Sequence, residues 1–144
     1  MTDYADSSFL VSCYLTDVNT PQASAYLSRT RAPLAWTALH ALEVRNAFEL
    51  GVFRGLLTTA DVGVVWANLE NDLRNARLVR TTVKWPAVFR GAARLSERHS
   101  ATIRTRSLDI MHVAAAKSLR TTEFISFDTR QRALAIAAGL KVAP

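Results

Sequence analysis

EFISFDTRQRALAIAAGLKVA, residues 123–143, reads as a strand, a helix and a strand in succession. EFISF (123–127) has the aromatic and β-branched content of a buried strand. TRQRALAIAAG (129–139) carries small and apolar residues at helical spacing and ends on Gly139, a residue type that closes helices. LKVA (140–143) is a last short strand. Strands alternating with helices imply a mostly parallel sheet covered on both faces, so this closing unit points to an α/β fold.

The rest of the chain keeps the same alternation. DYAD (3–6) is a short strand, followed by SSFLVSCYL (7–15), a helix with a serine cap. TPQASAYLSR (20–29) opens with Thr20 as N-cap and Pro21 at the first helical position. APLAW (32–36) reads as a second strand. TALHALEVRNAFELGVFRG (37–55) is a long helix capped by Thr37, with Leu39, Leu42, Ala47, Leu50 and Phe53 among its apolar positions. Residues 58–76 form another helix, LVRT (78–81) a strand, and KWPAVFRGAARLSERHS (84–100) a helix with proline near its start. A loop, ATIRTR (101–106), leads into RSLDIMHVAAAKSL (106–119), a helix dense in Ala, Ile, Val and Met. No repeat, linker or low-complexity stretch divides the 144 residues, so one domain is expected over 1–144. The sheet is small and helices outweigh strands.

Composition narrows the function classes. Hydrophobic residues make up 49% and charged residues 21%, a globular balance. The single cysteine, Cys13, excludes an internal disulfide and fits a reducing compartment. MTDYADSS places acids rather than basic residues before the first apolar run, which argues against a secretory signal. No apolar run approaches the roughly 18 residues needed to cross a bilayer. A cytoplasmic protein is expected. Lysine and arginine number 18 against 12 acids, a net charge of +6. Only Lys84, Lys117 and Lys141 are lysines, and arginine forks suit phosphates and carboxylates. Such a surface fits nucleic acid, an acidic partner or simple solvation equally well.

The chemistry lies in four carboxylates. In open α/β sheets the ligand site lies beyond the carboxyl ends of the strands. Asp6 closes DYAD and Asp128 closes EFISFD, so both stand at such ends. Asp109 sits near the start of an apolar helix and Glu43 inside another. Each has a plain alternative role. Asp6 and Asp128 can cap the helices that follow, Asp109 can be a first-turn acid behind Ser107 as N-cap, and Glu43 can lie on an exposed edge beside Arg45 or Arg54. Four converging carboxylates repel one another by roughly 4 kcal/mol per close pair at an effective dielectric of 20. A hard divalent cation would neutralise them, and all-oxygen ligation selects Mg²⁺ or Mn²⁺ over zinc. Carboxylate-held metal beside arginines suits hydrolysis of a phosphodiester.

At these acids the sequence resembles the PIN-domain ribonucleases, and within them the VapC-type toxins of toxin–antitoxin pairs. YADSSFLV resembles the opening strand, with Asp6 in the first acidic position and Ser8 in the neighbouring hydroxyl position. LHALEVRNAFELG resembles the helix that carries the glutamate, here Glu43. RSLDIMHVAAA resembles the third motif, with Asp109, and FISFDTRQRALAIAAGLKV the closing segment, with Asp128. The resemblance implies a small parallel sheet flanked by helices and a Mg²⁺- or Mn²⁺-dependent endoribonuclease. It also implies inhibition by a cognate antitoxin and a homodimer within that complex. It makes Asp6, Glu43, Asp109 and Asp128 the metal ligands and Ser8 a secondary candidate for positioning water. After Asp128 the chain runs Thr129, Arg130, Gln131, without the further acid some relatives carry, which leaves one or two metals open.

Arg45, Arg104, Arg106, Arg130 and Arg132 are the RNA-contact candidates, through phosphate rather than base. His112, one turn after Asp109, is expected to pack in the core rather than approach the metal; His40 and His99 carry no signal. Trp36, Trp66 and Trp85 are expected as core or interface anchors. Two other classes compete with the nuclease. A catalytically silent PIN-like binding module is opposed by the intact acids. A receiver or phosphatase domain is opposed by the lack of Asp-x-Asp after the first strand and of a lysine after a late strand.

Overall fold

The computed structural model describes residues 1–144. Five strands and seven helices alternate along the chain: β1 (Tyr4–Ala5), α1 (Ser7–Tyr14), α2 (Thr20–Arg29), β2 (Leu34–Trp36), α3 (Ala38–Phe53), α4 (Thr59–Arg74), β3 (Leu78–Arg80), α5 (Trp85–Ile103), α6 (Ser107–Leu119), β4 (Phe124–Ile125), α7 (Thr129–Ala137) and β5 (Val142–Ala143). β1 pairs with β4 and β4 with β5, while β2 pairs with β3, all parallel. A parallel bridge from Asp3 to Leu34 joins the two groups, with Asp3 N–H donating to Pro33 and Ala35 N–H to Asp3. The sheet therefore runs β3-β2-β1-β4-β5, an all-parallel α/β sheet as the alternation predicts.

Side chains alternate across the strands, and each face carries its own core. Tyr4, Ala35 and Phe124 point into a core built with α5, α6 and α7. Ala5, Leu34, Trp36, Leu78 and Ile125 point the other way, into a core built with α1, α2, α3 and α4. The alanine run Ala114–Ala116 is buried; without bulky side chains α6 can press close to the sheet.

Several boundaries differ from the sequence reading. The strands are two or three residues long, because the parallel ladder lasts only while both neighbours run alongside. α1 is capped by Asp6 rather than by a serine, and α2 by Asn19 rather than Thr20, with no side-chain bond. Ser107 is the first helical residue of α6, and Arg106 occupies the cap position. α5 runs on to Ile103, shortening the expected loop to three residues, with Arg104 in the left-handed region.

α3 brings a larger correction. It buries His40, Val44, Phe48 and Gly51, whereas Leu42 is 66% and Phe53 87% exposed. The helix has two apolar faces, and the stripe through Leu42, Leu50 and Phe53 is the outer one. Glu43 sits at the border between them.

Candidate active site

The parallel sheet sends the carboxyl ends of all strands to one edge, and the four acids reach that edge from four segments. Asp6 leaves β1 and caps α1: its Oδ1 accepts from Phe9 N–H at 2.7 Å and from the Ser8 hydroxyl at 3.0 Å. Its Oδ2 accepts from the Ser126 hydroxyl at 2.6 Å, directly after β4. Asp6 is buried. Burial raises its pKa, and the Ser126, Phe9 and Ser8 hydrogen bonds and the His112 charge offset only part of that rise.

Asp128 is exposed and caps α7, its Oδ1 accepting from the N–H groups of Arg130 and Gln131, each at 2.9 Å. Its own N–H donates to the Ser126 hydroxyl at 3.0 Å, so one serine ties the first acid to the fourth. Gln131, buried behind it, donates from Nε2 to the Asp109 carbonyl at 3.2 Å and fixes the start of α6 against α7. Asp109 occupies the first turn of α6 and pairs with the Arg106 guanidinium at 3.1 Å. The capping role weighed for Asp6 and Asp128 is real, and so is the first-turn placement of Asp109. Those roles fix the carboxylates at the edge of the sheet.

Glu43 is held by Ser7, which the sequence reading passed over, and by His112, which it placed in the core. Its Oε1 accepts from the Ser7 hydroxyl at 2.9 Å and from His112 Nε2. His112 is buried as expected of a core histidine, yet its ring faces the site. Nδ1 lies 2.9 Å from the Tyr4 hydroxyl. Both ring nitrogens are thus engaged, Nε2 by Glu43 and Nδ1 by Tyr4. Burial alone would push the Glu43 carboxyl up; the hydrogen bond and charge of His112, with Ser7 and Arg106, outweigh it and hold the carboxyl below its usual range. Beside this chain, His40 is fully buried and brought down to about 3, by burial first and then by the His112 charge. Its Nε2 donates to the Ala5 carbonyl at 2.8 Å, and its Nδ1 accepts from Thr37 N–H at 3.0 Å. The signals for these residues were Ser7 beside the expected Ser8, and a Thr-x-x-His spacing that mimics a capping box.

The arginines divide. Arg104, Arg106 and Arg130 line a wholly polar pocket with Thr105, Thr129, Asp109 and Asp128. Arg132 donates to the Ser126 carbonyl at 2.9 Å and so braces the β4–α7 turn. Arg45 belongs elsewhere: it pairs with Glu49 at 3.6 Å and lies 3.8 Å over the Trp66 ring, on the side of α3 turned from Glu43. Trp36 is buried in the core and Trp66 packs edge-on against it.

In kind, the donors suit a hard divalent cation: carboxylate oxygens, with Cys13 distant on α1 and His112 committed to Tyr4 and Glu43. They are not drawn into a coordination shell, since no three His, Cys, Asp or Glu side chains stand at metal-site spacing. Arg106 supplies positive charge there instead. Its pKa is raised by the bond to Asp109 and by the nearby charges of Asp128 and Glu43.

An all-parallel β3-β2-β1-β4-β5 sheet, wrapped by helices and edged with acids past its strand ends, is the PIN fold, and this chain has it. Among solved structures it is similar to FitAcB from Neisseria gonorrhoeae, at 18% identity over 99% of this chain and 97% of that one, TM-score 0.68. It is similar also to VapC20 of Mycobacterium tuberculosis, described as a sarcin–ricin loop cleaving toxin, at 16% identity over 99% of this chain and 100% of that one, TM-score 0.66. No family model and no curated protein sequence matches the chain.

Proposed function

We propose that the protein is a Mg²⁺- or Mn²⁺-dependent endoribonuclease, the toxin of a type II toxin–antitoxin pair, acting in the cytoplasm and restrained by a cognate antitoxin. The observation that supports this reading is the linkage of Asp6 to Asp128 through Ser126, with Asp109 and Glu43 carried toward the same sheet edge, on a fold shared with an RNA-cleaving toxin. A divalent ion held by those carboxylates would supply Lewis acidity and a water of lowered pKa. The chain's own residues prepare the site. Asp6 and Asp128 are pinned by the backbone they cap, and Ser7 and His112 bind Oε1 of Glu43, leaving Oε2 for the site. Asp109 would hold the ion in place of its pairing with Arg106, and the guanidinium groups of Arg106, Arg104 and Arg130 line the same pocket, where they would meet phosphate oxygens. Ser8, whose hydroxyl donates to Asp6, is the candidate to orient water. The exposed apolar stripe of α3, Leu42 to Phe53, is the face for a second copy or the antitoxin.

The test is cleavage of a structured RNA by the purified protein with Mg²⁺ or Mn²⁺, with RNA ends mapped. Asp6→Asn and Asp109→Asn should abolish cutting while circular dichroism stays unchanged. Undiminished cutting by both variants would sink the site. A calorimetric titration without divalent binding would turn the reading to a catalytically silent module.

A further inference from the structure

The consecutive helices α5 and α6 leave a groove on the side of the molecule away from α3. Its walls carry Arg94 and Arg98 from α5 and Lys117 and Ser118 from α6, around a volume of about 290 Å³, and no acidic side chain lines it. All three cations are exposed. The ion pairs formed by the protein's lysines and arginines engage Arg45, Arg77, Arg106 and Lys141, so Arg94, Arg98 and Lys117 are unpaired. The single acid of α5, Glu97, is exposed and bonds to neither arginine. The dipole at the carboxyl end of α6 accounts for Lys117 alone; it gives no reason for two arginines one turn apart facing the same groove. Small residues, Gly91 and Ala114, keep the floor open.

The acid pocket lies at the far end of the same helix, α5. Arg104, at the end of α5, lines that pocket beside Asp109 and Asp128. Arg98 and Arg94 precede it by six and ten residues, about 9 and 15 Å back along the helix. We propose that the α5–α6 groove is a second binding site, for the phosphate backbone of an RNA strand leaving the acid pocket. The proposal rests on the ribonuclease reading above. Guanidinium forks and an ammonium group suit phosphate oxygens, and contacts of this kind hold a strand in register without reading its bases.

The test is fluorescence anisotropy of a labelled single-stranded RNA, long enough to span pocket and groove, titrated with protein in chelator over a salt series. The triple variant Arg94→Gln, Arg98→Gln, Lys117→Gln is compared with the wild type and with a charge-keeping variant, Arg94→Lys, Arg98→Lys, Lys117→Arg. Three lost contacts at roughly 0.7 each should make the log K against log salt slope shallower by about 2, and the charge-keeping variant should restore it. A triple variant that binds RNA with an unchanged slope overturns the groove and leaves the ribonuclease reading standing. An unchanged slope together with lost binding of poly-glutamate assigns the groove to an acidic protein and also overturns it. Absence of RNA binding by the wild type overturns both.

Discussion

His112 on α6 hydrogen-bonds through Nε2 to Glu43 on α3, a carboxylate 69 positions earlier in the chain, while Tyr4 on β1 holds its other ring nitrogen. Strand, helix and helix thus fix one carboxylate orientation. His112→Ala should let the Glu43 carboxyl rise, because burial then acts without the partner that outweighs it, and carbon-detected NMR titration reads this directly. Divalent affinity or cleavage should fall about 10- to 100-fold, the usual cost of losing a residue that orients a ligand, and His112→Asn should recover part of it. An unmoved Glu43 titration would remove His112 from this role.

Asp6 sets a pH dependence of stability in the metal-free protein. Its folded pKa is raised, so the native state holds its proton where the unfolded chain has released it. That contribution is fully present below the ordinary carboxylate value and is lost as pH rises through the raised value. Thermal melts in chelator should therefore show Asp6→Asn flattening the decline over that window, with a neutral-pH Tm equal to or above the wild type. Added Mg²⁺ or Mn²⁺ should raise the wild-type Tm and leave the variant unmoved.

Asp128 separates cap from charge. Asp128→Ala removes the acceptor of two backbone N–H groups and should cost about 1 kcal/mol in denaturant unfolding. Asp128→Asn keeps the cap and the stability but should lose divalent binding in calorimetry. Equal metal affinity in the asparagine variant would leave Asp128 a cap alone.

Arg106 competes for Asp109. The pair is largely exposed on the arginine side, where such bridges are worth a few tenths to about 1 kcal/mol. Arg106→Gln should tighten Mn²⁺ binding roughly two- to fivefold, the same energy read as affinity, while weakening RNA binding. Weaker Mn²⁺ binding would mean that Arg106 supports the acids rather than occupying their site.

The alternation of elements and the strand-end acids were legible because they are local. Asp6 and Asp128 follow strands and precede helices, and the caps they form are a matter of neighbouring residues. What holds Glu43 was not, since Ser7 and His112 lie 36 and 69 positions away and only the folded sheet joins them. α3 misled for a different reason. Helical periodicity finds an apolar stripe but does not choose between two, and Val44 and Phe48 fill the core while Leu42 and Phe53 face out. Arg45 was placed near the acids by its closeness to Glu43 in sequence, yet two residues along a helix point to nearly opposite sides.

The order of the sheet has a consequence for biosynthesis. Asp6 and Glu43 come from the first half of the chain, while Asp109, Ser126 and Asp128 come from the second, and β4 is completed as an inner strand only when β5 pairs beside it. Domains fold as their segments emerge during synthesis. A nascent or prematurely terminated chain therefore carries the first two acids without the partners that seat them. The four carboxylates can assemble only once β4 and the turn behind it have joined β1, so Asp6 and Glu43 wait on distant segments of the chain for the groups that seat them.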